Sequence, residues 1–228
     1  MGVAAVALTI RVGDAAVSAL MLAPPDATAC YVFAHGAGAG MGHAFMEAAA
    51  QGLAQRGVAT LRYQFPYMER GSKRPDAPPL AHATVRAAVA QAAARLPGLA
   101  LFAGGKSFGG RMTSQAQALA PLAGVRGIVF FGFPLHPAGK PSRERAQHLF
   151  ALQCPMLFLQ GTRDELADAV LVRALHAELG PRATLEMVDD ADHSFHVPAR
   201  SGRKDAEVLA ALLDTAVAWI GAVGRGSP

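Results

Sequence analysis

The sequence predicts an α/β protein: a three-layer sandwich built on a mostly parallel, twisted sheet with helices on both faces. Apolar runs of strand length, about four to seven residues, alternate along the chain with helical patterns of about a dozen residues or more. Parallel strands need crossover connections, usually helices, so this alternation is typical of the class. The 228 residues fit one domain. We expect it to span residues 1–223, with a flexible tail at 224–228.

The first half of the chain has clear turn and stop signals. Apolar residues alternate on both sides of Gly13-Asp14, which predicts a hairpin. Gly57 ends the first helical pattern and Pro97-Gly98 ends the second, because glycine and proline interrupt helices. The expected elements are strands at 5–11, 16–22, 30–34 and 58–63, a helix at 44–55, an irregular segment at 64–80 and a helix at 81–96.

The second half repeats the same alternation. Its strand patterns are short apolar runs, and its last helical pattern is amphipathic. The expected elements are strands at 99–103, 127–131, 156–160 and 184–188, and helices at 107–119, 165–178 and 205–220, with a short helix that ends near residue 152.

Composition argues against several classes of function. The net charge is +4 and the pI about 9.4, but the basic residues are scattered and not interleaved with aromatic residues, so we expect no nucleic-acid partner. Cys30 and Cys154 begin apolar runs and predict buried structural thiols, consistent with a reducing compartment. The N-terminal segment lacks the basic residues of a secretory signal. The uncharged stretch 27–46 is too glycine-rich for a membrane span. We expect a cytoplasmic protein with no membrane partner.

One pentapeptide, Gly105-Lys-Ser-Phe-Gly109, matches the pattern G-x-S-x-G. It follows an apolar strand and opens a helix, as a nucleophile elbow requires. Glycines permit the tight turn that lifts the serine hydroxyl above the sheet, and the helix N-terminus favours developing negative charge. The pattern predicts that Ser107 is a nucleophile; the alternative is a glycine-rich turn in which Ser107 caps the helix.

A serine nucleophile needs a base and an acid that orients the base. Asp164 and His193 each follow a predicted strand, so they should lie at the same sheet edge as Ser107, and the order Ser, Asp, His is the one found after such an elbow. We predict His193 as the base and Asp164 as the orienting acid. Alternatives stay open: helix capping by Asp164, a surface-loop role for His193, and nearby residues of the same types, namely His196, Asp189, Asp190 and Asp192.

An oxyanion hole would complete the site. The backbone N–H of Phe108 should supply one donor, and the loop after strand 30–34 should supply the other from Ala37 or Gly38. A phosphate-binding loop is the competing interpretation, but the glycine spacing fits neither dinucleotide nor P-loop motifs. The histidines also lack metal-ligand spacing. We therefore predict neither a cofactor nor a metal.

With these residues, the chain resembles the α/β-hydrolase superfamily over nearly its whole length. It is most similar to the small, lidless branch that includes dienelactone-hydrolase-like and testis-expressed hydrolase-like proteins. The stretches that carry the second likeness are 35–40, 65–67, 105–111 and 133–137. The resemblance implies a triad of Ser107, Asp164 and His193. Dienelactone hydrolases use cysteine where this chain has Ser107, and some eukaryotic relatives are scaffold subunits of chromatin complexes.

The expected activity is hydrolysis of a carboxylic ester, thioester or similar small-molecule acyl substrate through an acyl-enzyme. Acyl transfer or perhydrolysis would use the same triad, and a non-catalytic interaction module is the alternative from another class. The segment between residues 131 and 156 is too short for a large cap, so we expect an open site shaped by the loops 63–73 and 133–141, with His136 as a candidate lining residue. Lys106 and Arg111 flank the elbow and could attract an anionic substrate or pair with acids.

Overall fold

A computed structural model describes residues 3–226, and these residues form one eight-stranded sheet. The strands are β1 (Val6–Val12), β2 (Ala15–Leu22), β3 (Ala29–Ala34), β4 (Val58–Tyr63), β5 (Ala100–Lys106), β6 (Val125–Phe131), β7 (Met156–Gly161) and β8 (Ala183–Val188). Their order across the sheet is β1-β2-β4-β3-β5-β6-β7-β8. The β1–β2 and β2–β4 pairs are antiparallel and all the others are parallel.

Helices cover both faces of the sheet. The helices are α1 (Ala44–Ala54), α2 (Pro66–Glu69), α3 (Pro78–Arg95), α4 (Phe108–Leu119), α5 (Ala169–Leu179) and α6 (Asp205–Arg225). α1 and α6 pack on one face, and α3, α4 and α5 pack on the other. Successive residues of a strand point to opposite faces, so in β3 Val32 belongs to one apolar cluster and Phe33 to the other. The central strands are buried on both sides, as their continuous apolar runs predict.

The connection from β6 to β7 carries a single 3₁₀ helix, Glu144–Ala151. It is too short to form a separate cap, and the predicted α/β architecture without a large cap domain is confirmed. All the parallel strands therefore present their carboxyl ends to the same open edge of the sheet, where the polar loops collect.

Three helix boundaries differ from those expected. α3 begins earlier, at Pro78, because proline is well suited to the first turn of a helix. α5 begins at Ala169 rather than at residue 165, because the Asp168 side chain accepts hydrogen bonds from Val170 N and Leu171 N and caps the helix there. α6 continues to Arg225, so part of the predicted tail is helical; residues 227 and 228 lie outside the described residues.

By length and composition alone, α6 could cross a membrane. Its apolar side, however, packs against the sheet through residues that include Val208, Leu212 and Ile220. One such helix is weak evidence for a membrane span, since the core helix of a globular protein has the same properties.

The 3₁₀ helix is attached to α4 by a largely buried histidine. His148 Nε2 lies 2.8 Å from Ser114 Oγ. Burial, together with the nearby Arg111 and His82, lowers the pKa of His148 to about 4. The folded protein therefore holds this imidazole neutral at pH values where an unfolded chain would protonate it.

This difference predicts acid sensitivity. The unfolded chain binds a proton at His148 below its ordinary pKa of 6.5, and the folded chain does so only near 4, so stability contributed by this site is lost as the pH falls through that window. We expect His148→Gln, which can keep the bond to Ser114 but does not titrate, to lose less unfolding free energy than wild type between about pH 7 and about pH 5. Urea denaturation at both pH values measures this; equal losses would contradict it.

Candidate active site

Ser107 stands in the sharp turn between β5 and α4. Its backbone has φ 51° and ψ −116°, a conformation that side-chain-bearing residues adopt only under strain. The turn packs closely against the end of β3, since a Cβ added to Gly109 would lie 2.6 Å from the carbonyl oxygens of Ala34 and His35. Glycine is therefore required there, and the close approach brings the glycine-rich loop after β3 beside the serine.

The structure brings the side chains of Ser107, His193 and Asp164 together in one hydrogen-bonded chain. His193 Nε2 lies 2.8 Å from Ser107 Oγ, and His193 Nδ1 lies 2.7 Å from Asp164 Oδ2. The carboxylate is fully buried, and the imidazole side chain is 19% exposed. With a proton on Nδ1 donated to the carboxylate, Nε2 is free to accept the serine proton, the arrangement that general-base activation of a hydroxyl requires.

Two further donors hold the Asp164 carboxylate. Oδ1 accepts a hydrogen bond from Leu166 N (2.8 Å), and Oδ2 accepts one from Gln160 Nε2 (2.5 Å) as well as the one from His193. Gln160 is itself fixed, because its Oε1 accepts from Phe133 N at 2.9 Å. Gln160 was not predicted from the sequence, although it is a lone amide at the end of an otherwise apolar strand. In the structure its side chain is completely buried.

The other acids near His193 have different partners. Asp192 Oδ1 accepts from Ser194 N and His196 N and so shapes the loop that carries His193. His196 pairs with Asp205 (2.5 Å), whose carboxylate raises the pKa of this imidazole. The N-cap of α5 is Asp168 and not Asp164, so the alternative in which Asp164 caps this helix does not hold.

The loop of His193 packs tightly on the end of β7. A Cβ added to Gly161 would lie 2.8 Å from the Asp192 carbonyl oxygen, and Arg163 N donates to Ala191 O at 2.9 Å. Because Asp164 follows Gly161 by three residues, this contact brings the acid and the histidine to one place.

The glycine-rich loop supplies candidate oxyanion donors. A Cβ added to Gly36 would lie 3.8 Å from Ser107 Cβ, so the loop runs beside the nucleophile. The Gly38 N–H donates to the Tyr67 hydroxyl (2.9 Å) and is therefore occupied. Within residues 3–226, the N–H groups of Ala37 and Phe108 have no hydrogen-bond partner, so Ala37 is the remaining candidate of the two residues predicted in this loop.

A buried histidine anchors the same loop. His35 Nδ1 lies 2.7 Å from Gly36 O, and Phe65 N donates to Nε2 at 3.1 Å, so the ring carries its proton on Nδ1. Burial lowers the pKa of His35 and keeps it neutral. The ring also packs edge-on against Phe65, with centroids 5.0 Å apart. The loop is thus fastened to the segment after β4 on both sides of Ala37: by His35 and by the bond from Gly38 to Tyr67.

The Tyr67 hydroxyl gives a direct test of this anchoring. Tyr67→Phe removes the acceptor and leaves the Gly38 N–H unpaired, so we expect the unfolding free energy to fall by about 1 kcal/mol and kcat/KM for an ester to fall about fivefold. Tyr63→Phe is the matched control, because the buried Tyr63 hydroxyl makes no hydrogen bond to any described residue. Equal effects of both variants in denaturation and steady-state assays would argue against the anchoring role.

An open cleft of about 660 Å³ reaches Ser107 and His193. It lies between the N-terminal parts of α1 and α6, and its apolar wall includes Phe45, Met46, Phe195 and Leu209. Neither of the loops expected to shape the site, 63–73 and 133–141, lines this cleft, although Tyr67 of the first loop holds the glycine-rich loop through Gly38 N. His136 is buried and holds neighbouring backbone instead: its Nε2 accepts from Asp168 N at 2.8 Å.

The two basic residues that flank the elbow differ in their position relative to the cleft. Lys106 lines the cleft and Arg111 does not. Across residues 3–226, no group of three or more histidine, cysteine, aspartate or glutamate residues is arranged to hold a metal ion. Cys30 is buried and Cys154 is half-buried, and both are free thiols.

A mostly parallel sheet without a large cap, together with a serine–histidine pair at its carboxyl edge, is the arrangement of an α/β hydrolase. The family model described as "Alpha/beta hydrolase domain" matches residues 27–221, and the protein belongs to this family. The resemblance to its lidless, dienelactone-hydrolase-like members is confirmed.

Several solved structures share the fold. A dienelactone hydrolase from Anabaena variabilis is 21% identical, with a TM-score of 0.78 over 99% of this chain and 100% of that chain. A serine hydrolase without a lid from Xanthomonas campestris is also 21% identical, with a TM-score of 0.74 over 99% and 97%. Est1E from Butyrivibrio proteoclasticus, solved with ferulic acid, is 16% identical, with a TM-score of 0.69 over 92% and 99%. At these identities the likeness shows the fold.

Proposed function

We propose that this protein is a serine hydrolase that cleaves a carboxylic ester, thioester or similar acyl compound, with Ser107 as nucleophile, His193 as base and Asp164 as orienting acid. The observation that carries the proposal is the continuous chain of hydrogen bonds from Ser107 Oγ through the His193 ring to the buried Asp164 carboxylate. A buried carboxylate on one ring nitrogen and the hydroxyl of a serine in a strained turn on the other form the arrangement that activates a serine nucleophile.

The reaction then follows from the geometry. Ser107 Oγ attacks the acyl carbon while its proton passes to His193 Nε2, and Asp164 stabilises the imidazolium through the bond to Nδ1. The negative oxygen of the tetrahedral intermediate is held by the N–H groups of Phe108 and Ala37, assisted by the N-terminus of α4. His193 donates its proton to the leaving group, and a water molecule activated by the same nitrogen releases the acyl group from Ser107.

The cleft supports a small acyl substrate. Its walls are mainly apolar, and it is open to solvent because no cap covers it, so it can bind the apolar part of an ester beside Ser107. The hydrolase names of the neighbours from Anabaena variabilis and Xanthomonas campestris are consistent with this proposal. A cytoplasmic location and the lack of nucleic-acid and membrane partners stay predictions from the sequence.

A fluorophosphonate probe tests the proposal, because such probes react with a serine only when a base activates it. We expect stoichiometric labelling of wild type, with the modified peptide containing Ser107. Ser201→Ala, which changes a half-buried serine at the end of a 3₁₀ helix outside the cleft, is the matched control and should label at the wild-type rate. Failure of wild type to label while a control esterase does label would contradict the proposal and favour a non-catalytic interaction module.

A further inference from the structure

Lys106, the residue before the nucleophile, has no role in the reaction as described above. It is the last residue of β5, and its side chain runs beneath the loop that carries His193. There, Nζ donates a hydrogen bond to the main-chain carbonyl oxygen of His193 itself. Within residues 3–226 it forms no ion pair with a carboxylate.

The surroundings of Lys106 are built to hold the ammonium in place. Nζ lies 5.2 Å from the centroid of the Phe195 ring and 5.9 Å from that of Phe45, distances at which an aromatic face attracts a cation. Gly132 leaves room for the ammonium group, because a Cβ added at that position would lie 2.9 Å from Lys106 Nζ. Any larger residue at 132 would displace the ammonium from the His193 carbonyl.

Burying this charge has a cost that the contacts must offset. Burial lowers the pKa of Lys106 to about 8, and the carboxylates of Asp164 and Asp192 oppose the shift from a distance. Lys106 is half-buried beside the cleft and faces no paired carboxylate, and an apolar residue would fill the same space without this cost. The feature that needs an ammonium is therefore the carbonyl of residue 193.

We infer that Lys106 is a positioning residue of the active site: its ammonium clamps the main chain of His193, so that the imidazole stays between Ser107 and Asp164. This inference rests on the proposed function for its kinetic consequences, although the clamp itself is a structural claim. A charge-assisted bond between a rigid strand end and a loop restrains the loop more firmly than a bond within the loop does.

Lys106→Met keeps the length and apolar stem of the side chain but removes the donor. We expect kcat for an activated ester to fall about 10- to 100-fold, the range of a lost hydrogen bond to a charged group, with KM changed less than about twofold. Lys140→Met, which changes an exposed lysine outside the cleft, should match wild type in both constants. A rise in KM at unchanged kcat would overturn the inference and assign Lys106 to substrate binding.

Proton NMR reads the clamp without any substrate. The His193 Nδ1–H shared with Asp164 should give a strongly deshielded resonance in wild type and in Lys140→Met, and a shifted or exchange-broadened one in Lys106→Met. An unchanged resonance in a folded Lys106→Met would overturn the inference. This NMR readout does not depend on turnover. Failure of wild type to react with fluorophosphonate would therefore refute the proposed function, while the resonance would still test the clamp.

Chemical rescue provides a second variant if Lys106→Met does not fold. Lys106→Ala retains Cβ, and n-propylammonium supplies the missing three carbons and the ammonium. We expect n-propylammonium to restore kcat and the deshielded resonance in a saturable way, while tetramethylammonium, a cation without an N–H donor, restores neither. Equal rescue by both cations, or by neither, would overturn the clamp.

Discussion

Replacing Ser107 with alanine should lower kcat by about 10⁶-fold, the size of effect seen when a triad loses its nucleophile. The change removes a single oxygen atom from a half-buried side chain at the end of the cleft. Folding should be unaffected, because alanine bears the same Cβ in the same strained backbone conformation. Residual hydrolysis would come from the oxyanion donors and from substrate binding alone.

The measurement is a steady-state panel of esters and thioesters on wild type, Ser107→Ala and the control Ser201→Ala. We expect loss of activity only in Ser107→Ala, on every substrate that wild type hydrolyses. A panel in which Ser107→Ala keeps more than about a tenth of the wild-type kcat would mean that the hydroxyl does not attack the acyl group.

Replacing Asp164 with asparagine should lower kcat by about 10⁴-fold while leaving the fold intact. Leu166 N donates to Oδ1, while Gln160 Nε2 and His193 donate to Oδ2, so the NH₂ group of asparagine meets a donor in either orientation. It faces His193 when the asparagine oxygen stays with Leu166 N. A donor in that position meets the Nδ1–H and favours the other tautomer of the ring. Nε2 would then carry a proton and could not accept the one from Ser107.

Asp189→Asn is the matched control for this variant, because Asp189 lies in an exposed position at the start of the His193 loop and its carboxylate makes no hydrogen bond to a described residue. We expect Asp189→Asn to retain wild-type kcat. If Asp164→Asn retained activity and Asp189→Asn lost it, the orienting acid would have been assigned to the wrong loop.

The parts of the site that could be predicted were those that follow from a local sequence pattern or from the order of the strands. The elbow around Ser107 is one strand, one turn and one helix, so its pattern is complete within a few residues. The placement of Asp164 and His193 required only the rule that loops after parallel strands share one edge of the sheet. That rule could not choose between neighbouring acids, because the choice depends on which carboxylate the packing of Gly161 turns towards the imidazole.

Contacts between distant segments could not be predicted. The bond from Gly38 to Tyr67 joins two loops, and only its presence shows that the Gly38 N–H is occupied while the Ala37 N–H is unpaired. Gln160 and Lys106 were visible as polar residues at strand ends, but their roles depend on partners at positions 164 and 193. The cleft itself could not be predicted for the same reason, since the gap between α1 and α6 is created by tertiary packing.

Direct observation of the acyl-enzyme is the sharpest test of the central claim. Wild type would be mixed with p-nitrophenyl acetate and quenched in acid on the timescale of the first turnover, and its mass would be measured before and after digestion. We predict a transient gain of one acetyl group on the peptide that contains Ser107, formed at least as fast as steady-state turnover. Hydrolysis that proceeds with Ser107 unmodified throughout, or an acetyl group found on another residue at a competent rate, would contradict the account.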